Sequence, residues 1–304
     1  MANVTSGRDS VRRRRARHLR CGVLVAAVVL GCLVSRGRAA AADDDAGPQW
    51  DLSLATQVGH PFGYVQVGEN QYRGDKLSFH GDLGVDTYET LDWDGRYRFT
   101  PKDSVRLGLQ MFFLDGSTTL SRDVFFNGTK LEGGTSLHTN TNFPEFFRIT
   151  AMYERLLLPF GDRGTVTGGI GVTWVGLTFR LNGTVAPDSP GNEPKEDFIT
   201  QELPVPMLGL RLDYPVTDRL DAVAALDGGY LPWVNSGRTE GGTVDLTQSQ
   251  LDTVAEVRYR VWKGLSIEGG AAFSYFVQHE LSHEDNNYIQ LSTLGAIIGA
   301  RYVF

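Results

Sequence analysis

The chain is poor in cysteine, with two in 304 residues, Cys21 and Cys32. Both lie in an N-terminal stretch that reads as a leader. The chain beyond this leader then has no disulfide, no thiol nucleophile and no cysteine metal site. Long apolar runs are also scarce. The clearest is residues 21–34 (CGVLVAAVVLGCLV), shorter than a membrane-spanning helix requires. Helical amphipathic periodicity is missing after residue 43, which argues against a helix bundle. Positive charge is scarce in the same region. Nine of the 29 Lys and Arg, but only one of the 36 Asp and Glu, fall in residues 1–42, so the remainder carries a net charge of −15. Such a balance excludes non-specific binding to nucleic acid or anionic lipid.

What is present begins with that leader. Arg8, Arg12, Arg13, Arg14, Arg15, Arg17 and Arg20 precede the apolar run, and small residues come after it, up to Ala42. Basic, apolar and small-residue parts in this order predict a cleaved secretory signal over residues 1–42 and a single domain over 43–304.

The period in that domain is two. Leu265, Ile267, Gly269, Ala271, Phe273, Tyr275 and Val277 alternate with Ser266, Glu268, Gly270, Ala272 and Ser274. Leu91, Trp93, Tyr97 and Phe99 alternate with Asp92, Asp94, Arg96 and Arg98. Ten such segments recur, at 49–58, 86–99, 104–115, 145–158, 164–181, 205–214, 219–231, 249–261, 264–279 and 288–304. Short turns such as Trp262-Lys263-Gly264 alternate with long connections at 59–85, 116–144, 182–204, 232–248 and 280–287. This pattern predicts an all-β fold, a transmembrane antiparallel up-and-down β-barrel. About ten strands are expected, bounded by eight and twelve, with short periplasmic turns and long extracellular loops. In a soluble barrel the charged face would be the wet outside. Here the apolar face is assigned to lipid and the charged face to the lumen. The expected lumen charges include Arg96, Arg98, Arg211, Asp213, Glu256, Arg258, Arg260, Glu268 and Arg301. Unpaired buried charge is costly, so these near-balanced groups are expected to pair into a plug.

The ending Gly299-Ala300-Arg301-Tyr302-Val303-Phe304 resembles the terminal strand of Gram-negative outer-membrane β-barrel proteins. Those chains end in Phe, with aromatic or apolar residues at alternate positions. The turn Tyr97-Arg98-Phe99-Thr100-Pro101-Lys102-Asp103-Ser104 resembles their periplasmic turns. The resemblance implies a place in the bacterial outer membrane, contact with its lipid and lipopolysaccharide, and recognition of the Phe304 strand by the barrel assembly machinery. It implies no activity.

One stretch points elsewhere. His279-Glu280-Leu281-Ser282-His283 fits H-E-x-x-H, which binds zinc when it lies on a helix. On a strand, four steps of about 3.3 Å place the two histidines about 13 Å apart. One zinc, with ligand bonds of about 2.1 Å, cannot reach both. Ring closure does bring the first long connection (His60, His80) beside the last (His279, His283), which makes a rim metal cluster of these four a candidate. In the loop 118–137, Asn127-Gly128 predicts a hairpin standing above the membrane.

The expected function is thus a structural or surface-interaction barrel with a charge-filled narrow lumen and no cofactor. Two alternatives remain: a hydrolase acting on lipid A or peptides at the extracellular rim, in the manner of omptin-type barrels, and a porin-like channel for small solutes.

Overall fold

A computed structural model describes residues 49–69, 72–184, 195–196, 203–239 and 243–304. The leader over residues 1–42 lies outside the described residues, as does most of the acidic stretch 187–197. Ten long strands form the body: β1 (Gln49–Gln66), β2 (Tyr88–Arg98), β3 (Asp103–Thr119), β4 (Ser136–Phe160), β5 (Gly164–Leu177), β6 (Val205–Pro215), β7 (Leu220–Thr239), β8 (Thr243–Trp262), β9 (Leu265–Leu281) and β10 (Asn286–Val303). Each pairs antiparallel with its sequence neighbours. The ring closes where β1 meets β10, with Leu54 opposite Ala300 and Val65 opposite Ile289.

At one end of the ring the connections are short, spanning 99–102, 161–163, 216–219 and 263–264. The tightest needs glycine. Gly264 has φ +75°, and a Cβ there would sit 2.5 Å from the Val303 carbonyl oxygen. At the opposite, loop end, the strands run well past the expected boundaries. Much of 59–66, 136–144, 232–239 and 243–248 is strand rather than loop, and β9 turns into β10 through 282–285 alone.

The first connection contains a further short strand, Leu77–Ser78, paired to Tyr64 and Val65. It folds over the lumen and adds nothing to the ring, which stays at ten. The Asn127-Gly128 turn forms as the sequence predicts, with φ +49° and +65°, between Val124–Phe126 and Thr129–Leu131. That hairpin does not stand free, because Val124, Phe126 and Leu131 are buried in the core.

β3 and β10 keep one in–out alternation along their length, whereas β4 and β7 shift theirs at bulges, and on β3 and β10 the apolar face changes sides. On β3, Val105 and Leu107 point outward and are exposed, whereas Phe112 and Leu114 point inward and are buried. On β10, Ile298 and Leu294 are outward and exposed, whereas Leu291 and Ile289 are inward and buried. The turn half therefore carries an apolar outer belt that includes Leu208, Ile170, Val257 and Ile267. The outside of the loop half is more polar, with Asp115, Ser117 and Asn140 exposed, although Phe62, Trp233 and Leu281 are exposed there as well.

Candidate functional site in the lumen

In the turn half, the lumen is filled by ion pairs. Arg301 donates to Asp51 with both Nε and Nη2, the Nε bond being 2.5 Å. Arg96 joins Asp51 at 3.4 Å and Glu154 at 2.5 Å. Arg106 extends the set to Glu154 at 3.4 Å and Asp227 at 2.6 Å. A second cluster centres on Arg258, which meets Glu268 at 3.2 Å, Asp213 at 3.1 Å and Glu256. Arg211 grips Asp213 through two bonds of 2.7 and 2.9 Å. Every second residue of each strand points inward, so carboxylates and guanidiniums on neighbouring strands meet at matching heights. Seven of the nine expected lumen charges fall in these clusters. Arg98 and Arg260 do not: both are exposed, and Arg260 donates to the Asp218 carbonyl at 3.3 Å. Their inward parity is right, but they stand beside the turns, below the packed layer.

One layer further up, Arg148 bonds Asp252 at 2.7 Å and Gln110 at 2.6 Å. Above it the lumen turns apolar. Phe112 and Phe146 stack at 4.0 Å, Tyr88 tilts against Phe112 at 5.9 Å, and Phe276 lies 6.2 Å from Phe146. Higher still, the inward-folded connections supply Leu77, Phe79, Leu83, Val85, Phe126 and Phe179, all fully buried. Phe179 meets Phe79 at 6.3 Å and Phe126 at 6.5 Å. The arrangement closes the barrel twice over, by paired charge below and by apolar packing above.

The histidines lie on the outside of the rim. His60 and His80 are brought together, with ring centroids 5.1 Å apart. His80 Nδ1 lies 2.9 Å from the Asp86 carboxylate, and His60 Nδ1 lies 3.0 Å from the Asp86 carbonyl. His279 belongs to another group, with Trp233 at 4.9 Å, Tyr288 at 5.5 Å and Asn286 Oδ1 at 2.9 Å. Tyr288 in turn stacks on Tyr64 at 5.3 Å. His283 is exposed in the turn after β9. The H-E-x-x-H stretch is strand and turn, and strand alternation sends His279 outward and Glu280 inward, where it is buried. Among the described residues no three His, Cys, Asp or Glu side chains are gathered as a metal ion requires.

Sequence reading missed the apolar ceiling of the lumen and the aromatic company of His279. A signal for the ceiling was there: Phe112, Leu114, Ile289 and Leu291 alternate in the opposite phase from the belt.

No protein-family model matches the chain, and no curated protein does. Among solved structures it is similar to the outer membrane protease OmpT from Escherichia coli, at 11% identity over 84% of this chain and 97% of that one, TM-score 0.43. It is also similar to the outer membrane protein OprG from Pseudomonas aeruginosa, at 13% identity over 85% and 96%, TM-score 0.35. A third is Ail, the attachment invasion locus protein of Yersinia pestis, at 11% identity over 85% and 100%, TM-score 0.27. None of these likenesses assigns a residue or an activity to this chain.

Proposed function

We propose that this chain is a closed outer-membrane β-barrel with a structural or surface-interaction role. The turn half sits in the bilayer, and the loop half projects outward as a folded body. The observation that carries this reading is the ceiling of fully buried Leu77, Phe79, Leu83, Val85, Phe126 and Phe179 across the lumen. Water-filled barrels have polar interiors throughout, and this one does not. The apolar belt supports placement in lipid, since a soluble barrel would wet that face. The leader, outer-membrane lipid and lipopolysaccharide as neighbours, and recognition of the Phe304 strand by the assembly machinery all belong to the same reading. Purified barrel in planar bilayers is expected to give no discrete conductance steps. A steady open level would overturn the proposal and favour a small-solute channel.

A rim hydrolase has one observation in its favour, the His80–Asp86 contact at 2.9 Å. A carboxylate in that position can orient an imidazole as a general base. Mass spectrometry of lipid A from cells carrying the wild type or His80→Ala tests it. Identical lipid A profiles remove the lipid A version.

A further inference from the structure

Tyr64, near the end of β1, and Tyr288, near the start of β10, face each other across the seam that closes the ring. Both point outward, because Val65 and Ile289 beside them point inward and are fully buried. The register sets Tyr64 opposite Gln290 and Gln66 opposite Tyr288, so the two tyrosines are diagonal neighbours. Diagonal pairs on one face lie about 7–8 Å apart at the backbone, within reach of aromatic side chains. These two rings stack, with centroids 5.3 Å apart and planes 18° from parallel. Lys76 Nζ lies 4.4 Å over the Tyr64 ring and donates to its hydroxyl at 3.2 Å. His279 meets the edge of Tyr288 at 5.5 Å. Both tyrosines are half-buried, held by these neighbours and still open to solvent. The other ring contacts of tyrosine among the described residues are with Trp50, Phe112, Phe160 and His279.

Two phenols held ring against ring are placed for oxidative coupling. We propose that Tyr64 and Tyr288 are a modification site, at which hydrogen peroxide and an oxidant of the haem peroxidase class join them as dityrosine across the seam. Each phenol gives one electron to the oxidant and one proton to water. The two phenoxyl radicals then form one carbon–carbon bond between ring positions next to the hydroxyls. The hydrogens on those carbons move to the oxygens, which restores both aromatic rings. One hydrogen peroxide takes up the two electrons and two protons and leaves as two waters, so the protein loses two hydrogen atoms. Burial, and after it the Tyr64 hydroxyl, push Tyr288 up to about 12, so it enters the reaction as a neutral phenol. No cysteine lies beyond Cys32, so a disulfide cannot make this link. A covalent bond between positions so far apart in sequence constrains the unfolded chain, as a long-range disulfide does.

The test treats the barrel, refolded in detergent micelles and dilute, with hydrogen peroxide and a haem peroxidase. Digestion and mass spectrometry should give a linked peptide pair carrying Tyr64 and Tyr288, two hydrogen atoms lighter than the sum of its parts. After boiling, the linked chain should run apart from the linear one on a denaturing gel. Tyr64→Phe and Tyr288→Phe keep a ring in the stack but lack one phenol, and each should abolish the link. Tyr72→Phe removes a tyrosine that is 69% exposed and has no stacked partner among the described residues, and it should leave the link unchanged. A link that survives Tyr64→Phe or Tyr288→Phe, or that joins other tyrosines or two chains, overturns the proposal. Oxidation of Tyr72 with no bond between Tyr64 and Tyr288 overturns it as well.

Discussion

Ile298 and Ile289 stand nine residues apart on the same strand, and they show what separates the two halves of this barrel. Ile298 faces outward and is 62% exposed, while Ile289 faces inward and is fully buried. In the turn half, apolar side chains meet the surroundings and charged ones meet each other. In the loop half the assignment is reversed, as in a water-soluble protein. One sheet thus serves two solvents, and β3 shifts register against β4 at the boundary, with Met111 opposite Phe147 but Phe113 opposite Asn142. On β3 the change takes one step, from Met111 outside to Phe112 inside.

The two largest effects should come from breaking each interior in its own terms. Arg258→Leu leaves Asp213, Glu256 and Glu268 short of their shared cation. It should cost about 3–5 kcal/mol, read from the urea midpoint of the refolded barrel. Phe79→Ala opens a void in the loop half and should cost about 3–5 kcal/mol. Its loss should appear first as protease cleavage in the loop half while the turn half stays protected. If both variants unfold as one unit with the same cleavage pattern, the division into halves fails.

On the exterior, Ile298→Arg should cost about 2–4 kcal/mol in lipid vesicles. Ser117→Arg, exposed on the loop half, should stay within about 0.5 kcal/mol. Equal costs would mean that the belt extends over the loop half. Gly128→Ala is smaller again. The positive φ of +65° should make it destabilising by about 1 kcal/mol or somewhat more, confined to the hairpin.

The smallest effect is one of pH. Asp123 is held below the usual carboxylate range, first by the Gly133 N–H and then by Lys130 at 2.7 Å. A depressed carboxylate stabilises above its unfolded pKa and loses that contribution as pH falls through the folded value. The hairpin should therefore become easier to nick with an acid-active protease below about pH 4, close to the ordinary Asp pKa. Asp123→Asn should already be nicked at neutral pH and change little on acidification. Equal sensitivity of the wild type at both pH values would count against the contact.

The turn half was readable from sequence because its strands present apolar residues outward and charge inward in unbroken alternation. Strand number, closure and the pairing of Arg96, Arg211, Arg258 and Arg301 all derive from that pattern. The segments 104–115 and 288–304 are read as strands across the points where the apolar phase slips, between Met111 and Phe112 and between Leu291 and Leu294. What the sequence assigns to connections instead are the strand extensions at 59–66, 136–144, 232–239 and 243–248. In β7 and β8 the stretch 232–248 has few apolar residues of either phase, and its strand character comes from pairing with neighbours. The meeting of Tyr88 with Thr293 at one cavity depends on which strands face the same layer, which no local pattern encodes.

The bond from Arg301 to Asp51 spans 250 positions in sequence. Until the last strand arrives, the first has an unpaired edge, and Asp51 lacks its closing cation. Contacts of such separation form slowly, because most of the chain must already be ordered around them. An exposed strand edge meanwhile invites pairing with other chains. The seam between β1 and β10 is therefore the point at which a growing sheet becomes a sealed object. A chain shortened by its final strand should accumulate as aggregates rather than as a nine-stranded barrel.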